Sequence, residues 1–141
     1  MRNETVASQI NQTIEDIWMM LEKKERTYTN WNLNNQQYVL LTLIIRHPAS
    51  TPTELADKME ISKSAVSQQL AKLEKVGLII RERHTSDKRT FSIELAEKGR
   101  HYKQEMEAFN QQITEKYQES LSPAELSRML SELQKLRNIL S

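Results

Sequence analysis

The 141-residue chain contains no cysteine. That excludes a disulfide scaffold, a thiolate zinc site, an iron–sulfur cluster and a thiol redox switch. Only two glycines occur, Gly77 and Gly99, so neither a Walker loop nor a G-x-G-x-x-G dinucleotide loop can be built. Three prolines leave little to interrupt helices, and the abundance of Leu, Ile, Glu, Gln and Lys favours them. Long hydrophobic runs are missing too. The longest, residues 38–45, is broken by Thr42 and is far short of the roughly 20 residues that span a bilayer. The opening residues Met1-Arg2-Asn3-Glu4-Thr5 lack the apolar stretch of a signal peptide. The expectation is a soluble cytoplasmic protein of one domain, residues 1–141, mostly α with a small β element.

Charge of one sign is also lacking: 20 basic residues face 19 acidic ones. The distribution is uneven, however. Residues 63–89 hold seven basic and three acidic side chains, whereas residues 1–30 and 101–141 are each slightly negative. A positive middle on a neutral chain is the pattern of a nucleic-acid face.

Apolar residues Val6, Ile10, Ile14, Ile17 and Leu21 recur every three or four positions and predict an amphipathic helix over residues 5–28. Asn34, with Gln37 three places on, predicts a capping box opening a second helix. Residues 38–45 are apolar nearly all round, so this helix is expected to be central and buried; Pro48 stops it. Thr51-Pro52-Thr53-Glu54 opens a short helix. Ser62 can cap the next, which Gly77 ends. The period then changes. Residues 78–83 and 90–95 read as two strands joined by the polar, basic stretch from His84 to Arg89. A long helix follows from about Glu97, and Ser122-Pro123-Ala124-Glu125 opens the last one.

This order of elements is a winged helix-turn-helix over residues 34–95. On the helix after Ser62, setting aside the buried Ala65, Val66 and Leu70 leaves Lys63, Ser64, Ser67, Gln68, Gln69 and Lys72 for solvent. Short hydroxyls, amides and amines at that spacing reach phosphates and base edges in a major groove. The wing adds Asp87, Lys88 and Arg89. An arginine on a narrow ribbon can enter a minor groove, and a carboxylate two residues away can orient it.

The chain resembles the multiple antibiotic resistance regulator (MarR) family over nearly its whole length. The resemblance is carried by Leu33-Asn34-Asn35-Gln36-Gln37-Tyr38-Val39-Leu40, Thr53-Glu54-Leu55-Ala56 and Ile61-Ser62-Lys63-Ser64-Ala65-Val66-Ser67. It continues through Leu73-Glu74-Lys75-Val76-Gly77-Leu78-Ile79, Asp87-Lys88-Arg89 and Leu95-Ala96-Glu97-Lys98-Gly99. It implies a homodimeric transcription regulator, with residues 1–30 and 96–141 forming the dimer and the middle binding double-stranded DNA. Arg89 matches the family's wing arginine and Asp87 its partner. The resemblance also implies a small aromatic effector, an acid or phenolic, held between the dimer helices and the winged core. Trp18, Trp31, Tyr38 and Tyr102 are the candidate lining residues.

Two departures stand out. The family commonly has Thr where this chain has Ala96, which cannot cap the long helix. The cysteine of the hydroperoxide-sensing branch is absent, and His47, His84 and His101 stand apart without metal-ligand spacing, so no metal or cofactor is expected.

Three apolar stripes, residues 6–21, 102–117 and 126–140, exceed what a small winged core can cover, and pairing two chains would bury them. Together with the stripes, the resemblance implies a sequence-specific regulator, a repressor, that acts as a homodimer on a pseudo-palindromic operator and is released by an effector. The competing reading is a winged-helix protein-interaction module that never touches DNA, but such a module has no need of the positive segment or the Asp87–Arg89 wing. No nucleophile–base spacing, metal cluster or glycine loop supports an enzyme.

Overall fold

The computed structural model describes residues 5–84 and 87–141, with the side chains of residues 83–90 outside that description. Among the described residues, six helices and one hairpin succeed one another in order: α1 (Val6–Tyr28), α2 (Asn35–Arg46), α3 (Pro52–Met59), α4 (Lys63–Lys75), β1 (Ile79–His84), β2 (Asp87–Leu95), α5 (Glu97–Ser120) and α6 (Pro123–Leu140). The chain forms two compact units, Met1–Glu105 and Met106–Ser141.

Local chemistry explains most of the boundaries. Thr5 caps α1, accepting from the Ser8 amide at 3.0 Å. Asn34 and Gln37 close a reciprocal capping box at α2. The Thr51 hydroxyl accepts from the Glu54 amide, and Pro52 occupies the first turn of α3. Glu60 ends α3 in the left-handed region at φ 54°. Ser62 caps α4 through the Ala65 amide at 3.0 Å. Gly77 follows α4 at φ +82°, the conformation a glycine supplies without a Cβ clash. Ser122 and Glu125 form a second reciprocal capping box at α6.

In the first unit, α3 packs on α4, α2 packs on both, and the hairpin continues from α4. The core holds Leu40, Leu41 and Ile44 of α2, Leu55 and Ala56 of α3, and Val66, Leu70 and Leu73 of α4. Leu78, Ile79 and Ile93 close it from the hairpin. Each of the Leu, Ile and Val side chains contributes about 1.5–3 kcal/mol on burial. The strands pair antiparallel, Ile79 opposite Leu95 and Arg81 opposite Ile93, with a register break between Arg83 and His84.

Two expectations need correction. The wing strands differ from 78–83 and 90–95: β1 runs from Ile79 to His84 and β2 starts at Asp87, so Asp87, Lys88 and Arg89 belong to a strand and not to a loop. Ladder bonds come from the backbone, so polar residues extend a solvated hairpin even where apolar alternation has stopped. The tip residues Thr85 and Ser86 lie outside the described residues. The second correction concerns α2, which is buried on one side only; Tyr38 and Val39 are exposed. Neither α1 nor α6 contains a buried residue.

Candidate nucleic-acid interface

α4 is held by its cap and by three buried side chains, Val66, Leu70 and Leu73. The opposite arc is open: Lys63, Ser64, Ser67, Gln68 and Lys72 are all exposed. Gln69 differs. It is half-buried, and its Nε2 donates to Oε1 of Gln36 on α2 at 2.8 Å. Helical geometry explains why, because Gln69 lies three residues after Val66 and four before Leu73 and so flanks the core face. That spacing was readable in the sequence; Gln36 as its partner, 33 residues away, was not.

The wing is tied to the same helix. Arg81 on β1 donates to Glu74 Oε1 near the end of α4, from Nη2 at 3.0 Å and Nε at 3.3 Å. The Arg81 backbone amide donates to Glu74 Oε2 at 3.1 Å. The guanidinium also sits over the Phe91 ring of β2, 5.3 Å from its centroid. These contacts hold the Glu74 carboxyl below its usual range, chiefly through the side-chain hydrogen bond from Arg81. α4 and the hairpin are thus coupled through one arginine, Arg81, which no motif in the sequence signals. Asp87, Lys88 and Arg89 stand at the start of β2, and their side chains lie outside the described residues.

The aromatic candidates separate into two groups. Trp31 and Tyr102 meet edge to face with centroids 5.9 Å apart. The Trp31 Nε1 donates to Glu105 Oε2 at 2.6 Å. Tyr102 is 2% exposed, and its hydroxyl has no hydrogen-bond partner among the described residues. Burial, with the Tyr38 hydroxyl and the Glu25 carboxylate nearby, pushes its pKa up. Burial likewise raises Tyr38 and Glu25. Trp31, Tyr38 and Tyr102 therefore share one neighbourhood with two carboxylates that the sequence did not single out. Trp18 stands apart on α1, 58% exposed and without a ring contact among the described residues.

A recognition helix capped by a polar turn, backed by two helices and followed by an arginine-anchored hairpin defines a winged helix-turn-helix protein. The MarR family pattern matches residues 33–91. The HTH-type transcriptional regulator YwhA of Bacillus subtilis is 32% identical over 74% of this chain and 76% of its own length. The HTH-type transcriptional repressor MdtR of the same species is 28% identical over 76% of this chain and 66% of its own length. In fold, the chain is similar to FabT of Streptococcus pneumoniae, solved in complex with DNA, with a TM-score of 0.81 and 23% identity over 95% of this chain and 96% of FabT. The chain belongs to the MarR family of DNA-binding transcriptional regulators. No described helix is long and apolar enough to cross a membrane.

Proposed function

We propose that the protein is a homodimeric, cytoplasmic repressor that acts by binding alone, on a pseudo-palindromic operator. Residues 34–95 form its DNA-binding core, and residues 1–30 and 96–141 its dimerisation helices. Lys63, Ser64, Ser67, Gln68 and Lys72 face the major groove; Lys88 and Arg89 contact DNA from the wing; Asp87 orients Arg89. The observation that carries this reading is the exposed polar arc of α4, opposite Val66, Leu70 and Leu73. Support for repression comes from the naming of MdtR as a repressor, and support for DNA as the partner comes from the FabT complex. A small aromatic effector at Trp31, Tyr38 and Tyr102 releases the operator, with Trp18 on α1 a separate candidate lining residue.

The test uses duplexes selected from a random pool and measures affinity across a range of salt. Arg89→Ala is expected to flatten the slope of log affinity against log salt by about one unit. Asp87→Ala is expected to weaken binding although it removes a negative charge from a surface facing DNA. Tighter binding by Asp87→Ala would refute the orienting role. Salt-independent binding, or no binding, would favour a protein-interaction module.

A further inference from the structure

α4 carries two adjacent glutamines in different circumstances. Gln68 stands on the open arc, whereas Gln69 is half-buried with its Nε2 donating to Gln36. The Oε1 of Gln69 is enclosed and accepts no hydrogen bond among the described residues. A glutamine reads adenine with both ends of its amide at once, accepting from N6 and donating to N7. Gln69 cannot offer that pair, because its acceptor is walled off and its nitrogen is held by Gln36.

Gln36 is well placed to hold it. It is exposed and sits in the first turn of α2, between the two members of a capping box. Asn34 Oδ1 accepts from the Gln37 amide at 2.8 Å, and Gln37 Oε1 accepts from the Asn34 amide at 3.0 Å. The turn carrying Gln36 is thus pinned, and its carboxamide reaches Gln69 from a fixed stretch of backbone. An enclosed amide oxygen without a partner is an unfavourable arrangement that persists only while something keeps it there. Removing the Gln36 side chain frees the Gln69 amide to turn toward solvent.

We propose that Gln36 sets operator specificity from outside the recognition helix, by holding the Gln69 carboxamide out of the groove and leaving Gln68 as the amide that reads a base. Gln69 is then a positioning residue. The proposal rests on the reading that α4 enters the major groove.

The experiment records base preference at every operator position by selection from a random duplex pool, with the melting temperature as a control for folding. Gln69→Ala is expected to keep the wild-type preference at every position. Gln36→Ala is expected to shift preference toward adenine at one position by about 5- to 150-fold, the span of one bidentate contact. The double variant Gln36→Ala/Gln69→Ala should return to the wild-type profile, which a merely structural role for Gln36 would not produce. Gln36→Glu keeps an acceptor for Gln69 and should keep the wild-type profile while binding DNA less tightly. A changed profile for Gln69→Ala would make Gln69 a direct reader and overturn the proposal, as would a wild-type profile for Gln36→Ala. Gln68→Ala separates this from the underlying reading. If it flattens one position while Gln36→Ala changes none, the groove reading stands and the proposal fails. If it flattens none, both fail.

Discussion

Gly99 lies in the first turn of α5, where an added Cβ would come 2.1 Å from the carbonyl oxygen of Leu78. That oxygen also accepts from the Ala96 amide at 3.0 Å, so the backbone there cannot easily move aside. Gly99→Ala would gain up to about 1 kcal/mol of helix propensity. The overpacking costs about 1–3 kcal/mol or more. A net loss of stability is expected in urea denaturation, larger than for Gly77→Ala, whose Cβ meets only the end of Lys98 at 3.4 Å and whose cost is the left-handed φ. Glu74 supports a second expectation. Its carboxyl is held below the usual value of 4.5 by Arg81. A depressed carboxyl contributes stability that is present above its unfolded-state pKa and is lost as pH falls through the folded value. The pair is partly exposed, so that contribution is under about 1 kcal/mol. Melting curves should show Glu74→Gln slightly less stable than the parent at neutral pH, with the difference vanishing as the medium is acidified below 4.5. The caps at Asn34, Ser62 and Ser122 and the left-handed Gly77 were legible in the sequence because they obey rules that reach only a few residues. The Gly99 approach, the Gln36–Gln69 bond and the Glu74–Arg81 pair were not. Each depends on where distant backbone or side chains arrive, which periodicity does not encode.

Elements were read well where one face is apolar and poorly where burial is partial or pairing is purely backbone. The stripe on α4 identified Val66 and Leu70 as core. The apolar run of α2 exaggerated its burial, because composition does not say which neighbours the first unit supplies. The hairpin was cut short because its outer part lacks alternation. The start of α5 carries the clearest unsatisfied signal. The Ala96 carbonyl accepts from the Arg100 amide at 2.9 Å, which places Ala96 at the capping position, where it has no side-chain acceptor. Ala96→Ser should supply one and raise stability by about 0.5–2 kcal/mol in chemical denaturation. An unchanged or lower midpoint would mean that the backbone there cannot present the hydroxyl to the helix.

At the scale of the whole molecule, the long helices show the most unpaired apolar surface. Val6, Ile10, Ile14, Ile17 and Trp18 are exposed on α1, and Met129, Leu130, Leu133, Ile139 and Leu140 on α6. Stripes of this length belong to interfaces. Light scattering at micromolar concentration should give twice the chain mass of 16.6 kDa. Ile14→Glu should shift the equilibrium toward the single chain, at least about tenfold in dissociation constant if the residue is central to the interface. A monomer mass for the parent protein would sink the dimer. The sequence made these stripes legible but not their exposure, since a stripe looks the same whether its own chain or another covers it. The effect is greatest for α1. It spans 23 residues, none of them fully buried within its chain, and a helix so thinly packed is marginal in water. On the proposed dimer, it is held in place by mass action, so its thermal midpoint rises with protein concentration. Dilution then acts on α1 as a denaturant. A cell that makes less of this regulator has fewer copies, and each copy is less completely folded.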